Sequence, residues 1–241
     1  MPSLSRQEWA TPSLCPDWDV KGVITHLAAV EHVLQGWQPA DGENSLPFDA
    51  IGAFTAAAES WSTDLLAEEV TKIFGVRRAD LEASSEEMFA ERSMTPVGPG
   101  TYHRFMDIRT FDFWVHERDI TTPLGRETVD GGSAAEVSLD EVHNSIGYIV
   151  GKKVGLPDGM SIAFRLAGPI ERNVFAAVEG RAAKVDHVDA PSVEVVTDST
   201  TFIQLACGRI DPQGAIDAGK ITWSGDQEWG EKAARNLRFT M

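Results

Sequence analysis

Apolar residues in the first half of the chain recur at three- and four-residue spacings, the signature of helices that bury one face. The spacing predicts helices over Val20–Gln35, opened by Asp17 as N-cap, and over Ala50–Ser62, Leu65–Ile73, Ser84–Glu91 and Tyr102–Ile120. Gly and Pro in Pro96-Val97-Gly98-Pro99-Gly100 stop one element and let the next begin. Amphipathic helices in series with short connectors predict a bundle.

The pattern changes near residue 125. Pro123-Leu124-Gly125-Arg126 through Gly131-Gly132 has the composition of a linker. Beyond it a helix is predicted over Ala134–Val154. Short alternating runs follow at Ser161–Leu166, Val174–Val178 and Ser192–Val196, bounded by Gly, Pro or Asp, as half-buried strands are. A helix over Thr200–Ala206, a strand at Ile221-Thr222-Trp223 and an amphipathic helix over Gln227–Leu237 complete the chain. The fold class expected is α+β, a helical bundle over 1–126 followed by a small α+β domain over 133–241.

Composition narrows the function. The apolar fraction of 42% supports a packed core, so disorder is not the default. A formal charge of −16, with no basic stripe, repels phosphate backbones and anionic lipid, which excludes nucleic acid and membrane surfaces as partners. Cys15 and Cys207 fit no metal or redox spacing, and a reduced, cytoplasmic protein is the simpler expectation. Met1 to Arg6 has no signal-peptide layout, and no apolar run is long enough to span a bilayer.

The candidate chemistry lies on the helix from Tyr102 to Ile120. Its apolar stripe is Phe105, Ile108, Phe111 and Val115; Asp112 lies beside that stripe and His116 one turn further on. A carboxylate and an imidazole one turn apart can share a cation. On spacing alone the commoner reading of such a pair is a hydrogen-bonded pair, or a polar pair at the core edge satisfied by its neighbours. His26 flanks the apolar face of the first long helix. His32, His103, His143 and His187 have no partner at ligand spacing.

Two segments carry a family resemblance. The first runs from Trp9-Ala10-Thr11-Pro12-Ser13 through Pro16-Asp17-Trp18 to His26-Leu27. The second runs from Gly98-Pro99-Gly100-Thr101-Tyr102 through Phe111-Asp112-Phe113-Trp114-Val115-His116 to Asp119-Ile120, followed by Pro123-Leu124-Gly125-Arg126. Both resemble the mycothiol-dependent maleylpyruvate isomerase family, whose N-terminal part is a DinB-like metal-binding bundle. Phe202 to Arg209 and Trp223-Ser224-Gly225-Asp226 resemble, less specifically, the sterol-carrier-like domain that follows the bundle there.

The resemblance implies that His26, Asp112 and His116 are the three metal ligands and that mycothiol is the thiol cofactor. Some members carry Glu where this chain has Asp112. Members also carry a full helix before the Trp-x-x-Pro-Ser segment, so either the true start lies upstream or a partner chain, as in a homodimer, completes the bundle. Three ligands leave a position open for a thiol, whose thiolate can add to a small electrophile and give isomerisation or an S-conjugate. The donor set suits Zn²⁺ best and admits Ni²⁺, Fe²⁺ or Mn²⁺. Asp119 is placed to orient His116, and Arg109 to pair with Asp112 or with a substrate carboxylate, although it can equally be an exposed helix residue doing neither. Trp18 and Trp114 are candidate walls of the cofactor site, and Arg209 and Arg235 candidate anion clamps at a domain cleft. Two other classes stay open: a metal-dependent hydrolase using bound water, and a non-catalytic small-molecule-binding protein.

Overall fold

The computed structural model describes residues 4–39 and 47–240. The chain divides into two units, Met1–Glu127 and Thr128–Met241. The first holds α1 (Arg6–Trp9), α2 (Val20–Val33), α3 (Phe48–Glu59), α4 (Thr63–Ala83) and α5 (Glu86–Ala90), a hairpin of β1 (Arg92–Thr95) and β2 (Gly98–Thr101), and α6 (Tyr102–Thr121). The second begins with α7 (Ser133–Asn144), α8 (Ile146–Tyr148) and a π-helical stretch (Ile149–Val154). It continues through β3 (Ser161–Ala167), β4 (Arg172–Glu179), β5 (Arg181–Val185) and β6 (Val193–Asp198), and ends with α9 (Ser199–Ala206), α10 (Pro212–Asp217), β7 (Ile221–Gly225) and α11 (Gln227–Arg235). Among the described residues no helix is long and apolar enough to cross a membrane.

In the first unit α2 contributes to two apolar clusters. Val20, Ile24 and Ala28 pack against Leu66, Val70 and Ile73 of α4. Val30, with Leu34 just beyond the helix, packs against Tyr102 and Phe105 of α6. Each large side chain buried there stabilises the fold by about 1.5–3 kcal/mol. The helix starts at Asp19, whose carboxylate accepts a hydrogen bond from the Gly22 amide at 2.8 Å. Asp17, the expected cap, instead has φ 68° in the turn before it, outside the extended backbone that a cap requires. That turn is closed by Ser13, whose amide and hydroxyl both donate to the Trp18 carbonyl, at 3.0 and 2.9 Å. A Cβ on Gly22 would come within 3.2 Å of the Trp18 Cβ, so the glycine lets the indole lie down along α2.

Two departures from the sequence pattern have physical causes. Helix α4 continues past Ile73 to Ala83. Gly75 costs a helix about 1 kcal/mol relative to Ala, but the next turn is held by Arg77, which is buried and paired with Glu31 of α2. The Pro/Gly stretch expected only to punctuate forms the tip and second strand of the β1–β2 hairpin, with Met94 opposite Pro99 and Thr95 opposite Gly98. Strand β2, four residues with one Pro and two Gly, gives no alternating signal.

The second unit is a five-stranded sheet in the order β5-β4-β3-β6-β7, parallel only between β3 and β6. Phe164 of β3 meets Phe202 of α9 at 5.2 Å between ring centroids, in its core. The single helix expected over Ala134–Val154 breaks at Ser145 and finishes as π-helix; Gly147 of α8 and Gly151 of the π-helical stretch both approach β5 closely. A Cβ on Gly151 would lie 2.9 Å from the Ala182 Cβ. Strand β5 was not expected, because as an edge strand it is largely exposed and carries no apolar alternation. The short helices α1 and α10 likewise went unpredicted.

Glu8 closes a capping box on α1. It accepts from the Ser5 amide at 2.7 Å and from Arg126 at 2.6 Å, and these bonds lower its carboxyl to about 2. A folded carboxyl titrating below its ordinary value of 4.5 contributes stability above that pH, and the contribution is lost as pH falls toward about 2. Glu8→Gln is therefore expected to lower the melting temperature at pH 7, with the gap to wild type narrowing as pH falls from 4.5 and closing only near about 2. In α11, Gly230→Ala gains about 1 kcal/mol of helix propensity. The new methyl, however, would stand 2.2–3.0 Å from Trp223 of β7, and overpacking costs about 1–3 kcal/mol. A lower melting temperature is expected, and a higher one would refute this packing.

Candidate metal centre

On α6 the polar residues Arg109, Asp112, His116 and Asp119 are spaced three, four and three apart, and so share one face. Arg109, His116 and Asp119 are buried and Asp112 is half-buried. The face turned inward is thus partly polar. Of the expected apolar stripe, Phe105 and Val115 are buried, whereas Ile108 and Phe111 are only half-buried.

Helix α2 brings His26 to this face. Its Nε2 lies 3.4 Å from one oxygen of Asp112, while the His116 Nε2 lies 3.4 Å from the other. One donor atom from each of the three residues falls within 4.8 Å of the others. The His26 Nε2 is buried with no hydrogen-bond partner among the described residues. At 3.4 Å the contacts are looser than good hydrogen bonds, so the donors converge on a common point more than they satisfy one another. Two imidazoles and one carboxylate are borderline-to-hard donors that fit a divalent first-row ion and leave room for a further ligand. These three residues would hold it.

Their surroundings are ordered. The His116 Nδ1 is 2.8 Å from Asp119, a fully buried carboxylate, which fixes the ring with Nε2 turned to the site. Burial disfavours the imidazolium, but Asp112 and Asp119 more than offset it and raise His116 to about 9. Burial likewise opposes the charge on Asp112, yet His116, His26 and Arg109 hold its carboxyl well below the ordinary range. The indole of Trp18 covers both rings, at 5.1 Å from His26 and 6.0 Å from His116 between centroids.

The other expected residues fall as follows. Arg109 is buried, contrary to the exposed alternative. It donates to Asp112 at 2.6 Å and to Glu31 of α2 at 2.9 Å. Trp114 lies two positions before His116 and so on another face of α6, where its ring carries the Arg118 guanidinium at 3.4 Å. In the second unit, Arg209 is buried and donates to the Cys207 carbonyl at 2.9 Å, while Arg235 pairs with Glu231 at 2.9 Å.

Two residues at the site escaped sequence reasoning. Glu31 is a charged residue following the apolar run Leu27 to Val30, and that anomaly was its available signal. Cys15 has a sulfur within 4.8 Å of donor atoms of His116 and Asp119. The bond from the Leu14 amide to the Asp119 carbonyl, at 3.2 Å, ties its loop to α6. No spacing could reveal a neighbour a hundred positions away. Cys15, His116 and Asp119 also form a possible donor set, but a cation there would have to break the 2.8 Å bond between the last two. The set containing the unpartnered His26 nitrogen needs no such loss.

No curated protein matches the chain in sequence. Among solved structures, the mycothiol-dependent maleylpyruvate isomerase aligns with a TM-score of 0.62 and 18% identity, over 92% of this chain and 84% of that chain. An alanine variant of that enzyme at one histidine gives the same values. Sterol carrier protein 2 from Yarrowia lipolytica aligns over 45% of this chain and 97% of its own, at 15% identity and a TM-score of 0.31. The family model for the mycothiol maleylpyruvate isomerase N-terminal domain matches residues 1–121, and the model for the C-terminal domain of the same family matches residues 136–232. With both of its domains matched in order, the chain belongs to the mycothiol maleylpyruvate isomerase family.

Proposed function

We propose that this chain is an enzyme that activates a low-molecular-weight thiol, mycothiol, at a divalent metal ion held by His26, Asp112 and His116, and uses it for isomerisation of, or S-transfer to, a small electrophile. The observation that carries this reading is the convergence of three donors from α2 and α6 around a buried imidazole nitrogen with no hydrogen-bond partner. A divalent ion bound there supplies positive charge that favours thiolate over thiol, whose pKa is ordinarily about 8.5.

The protein's own groups do the rest. His26 and His116 approach from two helices, so the site closes only when α2 and α6 are packed. Asp119 holds the His116 ring by Nδ1 and leaves Nε2 as the donor. Trp18 lies over both imidazoles. Family membership supplies the identity of the thiol and the isomerase class. Zn²⁺ is the ion the donor set suits best, and a reduced cytoplasm is the setting a free thiol requires.

Protein purified without chelator is expected to carry close to one divalent ion per chain by elemental mass spectrometry, and His26→Ala and His116→Ala are expected to lose it. Asp119→Asn should weaken metal affinity by about 10–100-fold without removing a ligand. Spectrophotometric titration of added mycothiol should show its pKa lowered by metal-loaded wild type and not by the His variants. An unshifted thiol pKa sinks the reading, and thiol-independent turnover would replace it with metal-dependent hydrolysis.

A further inference from the structure

Glu31, Arg77 and Arg109 are 5%, 3% and 8% exposed and come from α2, α4 and α6 respectively. One oxygen of Glu31 accepts from the Arg77 Nε at 3.0 Å and the other from the Arg109 Nε at 2.9 Å. The Arg109 Nη1 then reaches Oδ2 of Asp112 at 2.6 Å. Taking three charges out of water costs several kcal/mol per ion, and well-packed apolar residues at such positions are often no less stable. Stability alone therefore gives little reason for this chain of charges, which ends on an oxygen of the candidate metal ligand.

We propose that Glu31 is a positioning residue of the metal centre: it clamps Arg109, which pins Oδ2 of Asp112 and so presents Oδ1, on the His116 side, to the ion. The proposal rests on the metal-site reading above. The last torsion of an Asp side chain is broad and roughly two-fold, so an unheld carboxylate exchanges its two oxygens freely. A planar guanidinium bonded at both Nε and Nη1 removes that freedom, which a lysine point charge cannot do. Arg77, from α4, holds the second oxygen of Glu31 and so keeps the carboxylate from rotating. Nε and Nη1 of Arg109 are thus engaged within the clamp, with the Phe113 ring 5.2 Å from Cζ, while Nη2 is buried with no hydrogen-bond partner among the described residues. A short Asp arm, where some members of the family carry Glu, gains most from such a clamp.

The test is Co²⁺ titration of the full chain, wild type against Glu31→Gln, following the d–d absorption bands and measuring affinity against a chromophoric chelator. Circular dichroism confirms that each variant is folded. We expect Glu31→Gln to keep all three ligands yet bind Co²⁺ about 10–100-fold more weakly, with shifted d–d bands. Arg109→Lys keeps the charge but cannot hold both carboxylates. It is expected to do the same, and it decides the matter should Glu31→Gln fail to fold. Unchanged affinity and bands in a folded variant would overturn the positioning role while leaving the metal site standing. Failure of wild type to take up Co²⁺ would overturn both.

Discussion

A carboxylate buried between two guanidiniums sets the geometry of the first unit. A carboxylate out of water needs partners for both of its oxygens, and those of Glu31 lie on two different helices. That requirement fixes α2 against α4 through Arg77 and against α6 through Arg109. Apolar packing at Ile24, Val70, Val30 and Phe105 supplies most of the free energy, but it tolerates small slips between helices. Directional bonds of 2.9 and 3.0 Å do not. The same crossing of α2 over α6 brings His26 to Asp112 and His116, so the register that satisfies Glu31 is also the register that assembles the candidate ligands.

Once α2 and α6 are in register, the chemistry follows from one face of α6. Arg109, Asp112, His116 and Asp119 alternate in sign along it, and each neighbour constrains the next. Asp112 stays charged although burial opposes it, because cationic groups flank it. His116 is held by a carboxylate on either side. A lone Asp and His one turn apart would be an ordinary helix pair. What distinguishes this pair is that each carries a second, buried partner, so neither can rotate away to satisfy the other.

The amphipathic helices, the three central strands and the closing helix were legible in the sequence because each obeys a single period over a long enough window. Elements with little apolar content were not: edge strand β5, the Pro- and Gly-rich hairpin, and the short α1 and α10. The ends of helices were misjudged where a tertiary contact decided them, as at Arg77 for α4, or where a glycine-mediated approach did, as at Gly151 for the end of the α7–α8 segment. At the site, the candidate ligand set came from family resemblance rather than from spacing, since an Asp-x-x-x-His pair alone is ambiguous. Asp119 and Arg109 were visible as neighbours on the same helix. Glu31 and Cys15 were not, because their relation to His116 exists only through folding.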